Sequence, residues 1–411
     1  MLGNLDSNSR ITFWKHLATC KPWKCHPALH RNDVSYDKLV GFTIHADGAQ
    51  MYSDDEFFVY SISSVFSSEG CTKDILLVKI PLAIIPERQM RSKDVRAAVN
   101  KVVADVTAWS LKICTSGVGP QRGFYNEAFP EKSYRHGLSG KILAGGWKGC
   151  YVAFKADLKA RVQVHALTRN YLCNLICDRC LAATGDKCPE SMYYKNFSHT
   201  AAWPLTAIDH EMHMQMDTPS PWSVVEGFNF ESLSYDWLHN VYLGIGRDLV
   251  ASGILVLIEH NVFPLGADLD ETLGNVHREV RRTCAKNGLY FPCKPQLTKA
   301  NVGGSDDFAV LGSRFKGATV KTLIWWLAVT SQKVSDQRPT EPILALLATC
   351  CFWMQRSIHI QDRSGLTFSR ITMLVKLGSL SSSTSGRMWI WLPATFPTTA
   401  CCSRFAIRPI T

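Results

Sequence analysis

The feature that most restricts the fold of this chain is a change of hydrophobic period early in it. Leu39–Ala46 (LVGFTIHA), Phe57–Ser63 (FFVYSIS) and Asp74–Ile85 (DILLVKIPLAII) are β-branched and aromatic runs of strand length. The first stops at Asp47-Gly48, a turn pair, and Pro81 interrupts the third, marking a bulge or a strand end. From Lys93 to Ile113 the period turns helical. Val95, Val99, Val102, Val106, Trp109 and Ile113 recur at alternating fours and threes and share one predicted face. Cys150–Ala156 (CYVAFKA) is a fourth predicted strand ending at Asp157, with Leu158–Cys173 as a helix directly after it. The order β-β-β-α-β-α predicts an α/β fold: a mixed sheet flanked by helices.

At 411 residues the chain has room for two or three domains. A hydrophobic fraction of 46% with 19% charged residues excludes a fully disordered, collagen-like or coiled-coil chain. No uninterrupted apolar run approaches the roughly 18 residues of a membrane span. Ile254–Ile258 and Leu323–Val329 are core-sized, so no membrane association is expected. The start, MLGNLDSNSR, lacks the apolar stretch of a secretory signal. Fifteen cysteines in a chain this long then point to an intracellular protein with mostly reduced thiols. The net charge of +10 favours an anionic partner such as nucleic acid. Half of that excess lies in 341–411, which carries seven Lys/Arg and two acids.

The expected organisation is an N-terminal arm over 1–36, a first core part over 37–173, and a Cys/His-containing and helical insertion over 174–300. A late core helix over 301–340 and a poorly ordered tail over 341–411, serine-rich from about 376, complete it. Helices are predicted at Leu238–His260, Asp268–Lys286 and Ser313–Thr330.

Three groups could carry chemistry. Asp47 and Asp157 each follow a strand, where open α/β sheets bind ligands. Two such carboxylates on neighbouring strands could share Mg²⁺ or Mn²⁺ in a site with metals about 3.5–4 Å apart. The alternative is a plain turn at Asp47-Gly48 and a plain helix N-cap at Asp157. Cys177 and Cys180 have the C-x2-C spacing of a zinc knuckle, with Cys188, His199 and His210 as candidate partners for Zn²⁺; ordinary buried thiols are the alternative. Asp236 and His239, at i and i+3 on a helix's first turn, can hydrogen-bond, unless Asp236 is simply the cap. A zinc hydrolase built on His210-Glu211-Met212-His213 is disfavoured, because H-E-x-H is one residue short of H-E-x-x-H.

Four blocks, in order, resemble transposases of the CACTA (En/Spm-like) type, which have an RNase H-like core and a DDE/D acid triad. IHADGAQMYSDDEFFVYSISSVF (44–66) resembles the block of the first acid, matching Asp47. FKADLKARVQVHAL (154–167) resembles the block of the second, Gly-Asp-x-Pro-Ala; Asp157 matches, with Ala156 and Lys159 replacing Gly and Pro. ICDRC (176–180) stands where the family has a cysteine pair, and YDWLHNVYLGIGRDLVASGI (235–254) resembles its D-x-x-H block, with Trp237 at the usual Pro. The resemblance covers about residues 35–330.

It implies metal-dependent DNA cleavage and strand transfer by Asp47 and Asp157, transposon-end DNA as partner, nuclear localisation, and room for an oligomer. It also implies a third acid, a Glu on a late helix. The nearest local match, Phe315-Lys316-Gly317-Ala318-Thr319-Val320, puts Thr319 there, and Glu259, Glu271 and Glu279 lie outside the pattern. The third acid is therefore unassigned, and a degenerate copy with weakened or lost activity is expected. The alternative is a non-catalytic DNA- or protein-binding module on the same scaffold, with Arg278, Arg281, Arg282 and Lys286 contacting phosphates.

Overall fold

The computed structural model describes residues 6–50, 56–66, 79–305 and 308–363. They divide between two compact units, one up to Tyr235 and one from Asp236 to Arg363. The division falls inside the 174–300 segment expected as a single insertion. Its Cys/His part belongs to the first unit and its helices to the second.

The first unit is built on a five-stranded mixed sheet of order β3-β2-β1-β4-β5. Its strands are β1 (Leu39–Gln50), β2 (Glu56–Ser64), β3 (Lys79–Pro86), β4 (Lys148–Ala156) and β5 (Leu233–Tyr235). β1, β2 and β3 pair antiparallel in sequence, whereas β4 and β5 run parallel to β1. The expected mixed sheet flanked by helices is therefore present. Pro81 sits at an irregularity in the β2–β3 register on the sheet's edge strand, where a missing N–H costs no ladder bond. Residues 74–78 of that predicted run lie outside the described residues.

Helices cover both faces, and two short ones, α3 (Tyr134–Leu138) and α5 (His210–Met214), lie in the connections. On one face, α2 (Lys93–Ser116) and α4 (Leu158–His165) pack with Trp222 against Ile44, Tyr60, Tyr151 and Phe154. On the other, α1 (Ser7–Leu17) brings Phe13, Trp14 and Leu17 against Leu39, Cys150 and Val152. The stretch expected as an irregular arm is thus a helix followed by short turns, stitched to the sheet. Trp14 Nε1 donates to the Leu39 carbonyl (3.0 Å) and Trp23 Nε1 to that of Val152 (2.7 Å).

Three local expectations need correction. β1 does not stop at Asp47-Gly48: its ladder with β2 continues to Gln50↔Glu56, so that pair is strand, not turn. The helix expected over 158–173 ends at His165, because Ala166 takes a left-handed conformation (φ 52°). The buried stripe of α2 is Asn100, Ala104, Thr107, Leu111 and Thr115, while Val95, Val102 and Val106 are exposed. Polar partners decide that rotation. Asn100 accepts from the Tyr60 hydroxyl and donates to the Gln163 carbonyl, and Thr115 donates to the Gly149 carbonyl.

The second unit is helical. A π-helical segment, Leu238–Ile245, kinks at Gly244 and leads into α6 (Gly246–Glu259). α7 (Leu269–Lys286), capped by Asp268, and the single turn α8 (Lys299–Val302) follow, and later come α9 (Gly317–Gln337) and α10 (Pro342–Arg363). Its core joins Val250, Ile254, Leu273, Val280, Trp326 and Leu347. α10 occupies the first part of the segment expected as a poorly ordered tail, since Leu344, Leu347 and Cys351 bury an apolar stripe. The rest of that expectation, 364–411, lies outside the described residues. Leu238–Glu259 and Pro342–Ile360 are each long and apolar enough, by length and composition, to cross a membrane. The first spends Val250, Ala251, Ile254 and Leu257 on the core of its own unit.

Candidate functional site

The sheet register builds the candidate metal site. Ala46 of β1 lies opposite Ala156 of β4; Asp47 is the next residue of β1, and Asp157 follows the last residue of β4. β4 ends there, so Asp47 keeps its ladder only to β2, opposite Val59. Both side chains are half-buried, and their ligand oxygens lie within 4.8 Å of one another. Asp157 also caps α4: its Oδ1 accepts the Ala160 amide at 2.6 Å. A carboxylate has two oxygens, so capping and metal binding are compatible at this residue. Hard oxygen donors in this arrangement suit Mg²⁺ or Mn²⁺ and suit Zn²⁺ less.

The same row reaches β5. Tyr235 lies opposite Ala156, and Asp236 is the next residue of the chain. Asp236 Oδ2 is 2.5 Å from His239 Nδ1, the i, i+3 pairing expected from the sequence. Asp236 thereby orients the imidazole, and its main-chain carbonyl accepts from the Asn240 side chain.

Around Cys177 and Cys180 the structure builds a core. Both thiols are buried with Trp203, and Cys177 Sγ accepts the Arg179 amide at 3.3 Å. Among the described residues, no Cys, His, Asp or Glu joins the pair in a group of three ligand atoms within 4.8 Å of one another. The candidate partners are engaged elsewhere or exposed. His210 Nδ1 accepts the Phe230 amide, Cys188 donates to the Pro189 carbonyl, and His199 faces solvent. His213 is stacked on Phe230, with Nε2 accepting the Ser220 amide at 3.0 Å. One ring nitrogen of each histidine of the H-E-x-H run is thus occupied by a main-chain N–H.

The residues between the two cysteines hold an ion network that periodicity does not reveal. Asp178 is buried and paired with Arg161 and Arg179, and it accepts from the Tyr235 hydroxyl at 2.9 Å. Burial alone would raise its pKa; the guanidinium groups of Arg161 and Arg179 outweigh that and hold it at about 2. Arg179 also donates to the carbonyls of Phe230 and Leu233. It therefore fixes the entry of β5, the strand that leads to Asp236. The chemical signal in the sequence was the charged pair inside C-D-R-C.

On α7, Arg278, Arg281, Arg282 and Lys286 are exposed, opposite the buried Leu273, Val276, Val280 and Cys284. Arg282 pairs with Glu279, and Arg278 donates to Asn275. Thr319 lies in the first turn of α9, half-buried. Comparison of the chain with protein-family models, with curated proteins and with solved structures finds no match.

Proposed function

We propose that this chain is a transposase-derived DNA-processing protein that holds a divalent metal between Asp47 and Asp157. The observation that carries this is the pair itself: two carboxylates one residue beyond a register row on adjacent parallel strands, with oxygens within 4.8 Å. The strand order β3-β2-β1-β4-β5 supports an RNase H-like core, with acids on its first and fourth strands. Bound there, Mg²⁺ or Mn²⁺ would polarise a phosphodiester oxygen and lower the pKa of a bound water. The two aspartates would hold and orient the ion. The hydrogen-bonded Asp236–His239 pair is the D-x-x-H block that the resemblance makes accessory to this chemistry. The basic side of α7 would contact phosphates.

Thr319 offers a hydroxyl where the resemblance calls for a carboxylate, so fixing a second metal lacks a ligand and joining of strands is lost. The second reading, a DNA-binding module without catalysis, is favoured by that same Thr319. The experiment is a thermal shift with Mn²⁺ together with a plasmid nicking and strand-joining assay on the full chain. Mn²⁺ raises the Tm, and slow nicking without joining accompanies it. Asp47→Asn removes both responses. Absence of any Mn²⁺ shift overturns the metal site, a shift without nicking selects the module, and efficient joining overturns the loss.

A further inference from the structure

The segment between α2 and β4 is long for a connection, and it is folded rather than loose. Antiparallel bridges Val118↔Ile142 and Arg122↔Ala128 close it at two levels. Gly119 donates to the Lys141 carbonyl and Gly140 to that of Gly119. A Cβ at Gly119 would sit 1.9 Å from the Leu138 carbonyl oxygen, so only glycine lets the two arms approach this closely. Asn126, at φ 64°, turns the inner hairpin, and α3 (Tyr134–Leu138) begins on the Ser133 cap.

This fixed frame displays two aromatic rings to solvent. Tyr125 is 80% exposed and Tyr134 81%. Phe124 anchors the first, touching Tyr125 on one side and Trp109 of α2 on the other. Arg122, Lys132, Arg135, His136 and Lys141 are exposed on the same excursion, against the two acids Glu127 and Glu131. Two exposed rings held in one hydrogen-bonded frame among basic side chains offer flat faces on which bases can stack.

We propose that the excursion 118–142 is a binding surface for unpaired DNA, with Tyr125 and Tyr134 as stacking platforms and the basic side chains holding the backbone. A tyrosine ring stacks on any base, while Lys and Arg track the phosphates. Positive charge around the rings matches a polyanion and disfavours an acid-poor protein or an uncharged partner. The hydrogen-bonded frame fixes the platforms before the strand arrives, so little conformational freedom is lost on binding. The surface stands at the start of β4, whereas Asp157 follows its end. At roughly 3.3 Å per strand residue that separation is about 30 Å. The excursion therefore grips a strand away from the acids. The inference rests on the DNA-directed function proposed above but not on the metal.

The test is fluorescence anisotropy of the full chain with fluorescein-labelled oligo-dT, beside the plasmid nicking assay. Tyr125→Ala and Tyr134→Ala each weaken oligo-dT binding about tenfold. Phenylalanine at both positions preserves it within about twofold, because stacking needs the ring and not the hydroxyl. Circular dichroism and Tm confirm that each variant folds. A folded double alanine variant that binds oligo-dT as tightly as the native chain overturns the surface, as does a native chain with no affinity for oligo-dT. Nicking that persists while the tyrosines prove irrelevant overturns this surface alone. Tyrosine-dependent binding by a chain that shows neither a Mn²⁺ shift nor nicking overturns the metal reading alone.

Discussion

Asp47 and Asp157 stand next to each other because Ala46 and Ala156 are register partners on parallel strands. Parallel pairing sends both chains off the row in the same direction. The two aspartates are thus held by backbone hydrogen bonds and not by a flexible loop. Asp157 carries a second duty as the cap of α4, and the two duties can be separated.

Asp157→Asn keeps an oxygen for the Ala160 amide but removes the negative charge. Asp157→Ala removes both. Asparagine caps about as well as aspartate, whereas alanine costs about 1 kcal/mol. Urea denaturation should therefore show near-native stability for Asp157→Asn and a loss of about 1 kcal/mol for Asp157→Ala. Both variants should lose the Mn²⁺-induced rise in Tm. A Mn²⁺ response that survives in Asp157→Asn would show that this carboxylate holds no metal.

Asp178 carries a buried charge between two buried guanidinium groups. Removing it strands both cations, at a cost of about 3–5 kcal/mol for a buried pair that loses one partner. Asp178→Ala should lower stability by that amount in urea. Because Arg179 also holds the carbonyls of Phe230 and Leu233, amide exchange should quicken first around β5. The Asp178 contribution is full above its ordinary value of 3.8 and is lost as pH falls from there towards about 2. A stability change under about 1 kcal/mol would contradict the role given to this pair.

Gly41 lies where β1 meets α1. A Cβ there would come within 2.7 Å of Val152 Cγ2, 2.8 Å of Val65 Cγ2 and 2.9 Å of the Trp14 ring. All three are core atoms with little room to retreat, so Gly41→Ala overpacks the layer and costs about 1–3 kcal/mol. A Tm equal to or above the native value would show that the α1 layer is looser than its burial suggests.

Four strands of the five-stranded sheet were legible in chain order because β-branched runs bounded by breakers carry their own signal, whereas β5, three residues long, carries none. The end of β1 was not. Asp47-Gly48 looks like a turn locally, and only pairing with Phe58 and Val59 keeps it extended. The rotation of α2 was misread for a related reason. Its valines have the right spacing, but the Tyr60–Asn100 and Thr115–Gly149 bonds turn the small and polar stripe inward. Periodicity ranks faces by hydrophobicity and cannot see a buried hydrogen bond. In the candidate site the two aspartates and the Asp236–His239 pair were readable from position. The burial of Asp178 and Arg179 was not, since nothing local tells a solvated charge from one paired across 17 residues with Arg161.

His165 and His213 give the chain a pH dependence in a range where carboxylates stay ionised. Both rings are buried and joined through Ser220: its hydroxyl meets His165 Nδ1 at 2.8 Å, and its amide donates to His213 Nε2 at 3.0 Å. Burial lowers both pKa values. The charge of Arg161 adds to this at His165, and that of His210 at His213, which falls to about 4. The unfolded rings titrate near 6.5, so the unfolded chain binds protons that the folded chain refuses. Stability is full above that pH and declines as pH falls through it towards about 4. The slope approaches about 1.4 kcal/mol per pH unit for each ring. Differential scanning calorimetry between pH 7 and pH 5 should record this as a falling Tm. His213→Gln keeps an acceptor for the Ser220 amide and removes one titrating ring, so it should reduce the slope by about half. A Tm that stays flat over this interval in the native chain would mean that these rings are not held neutral by the fold.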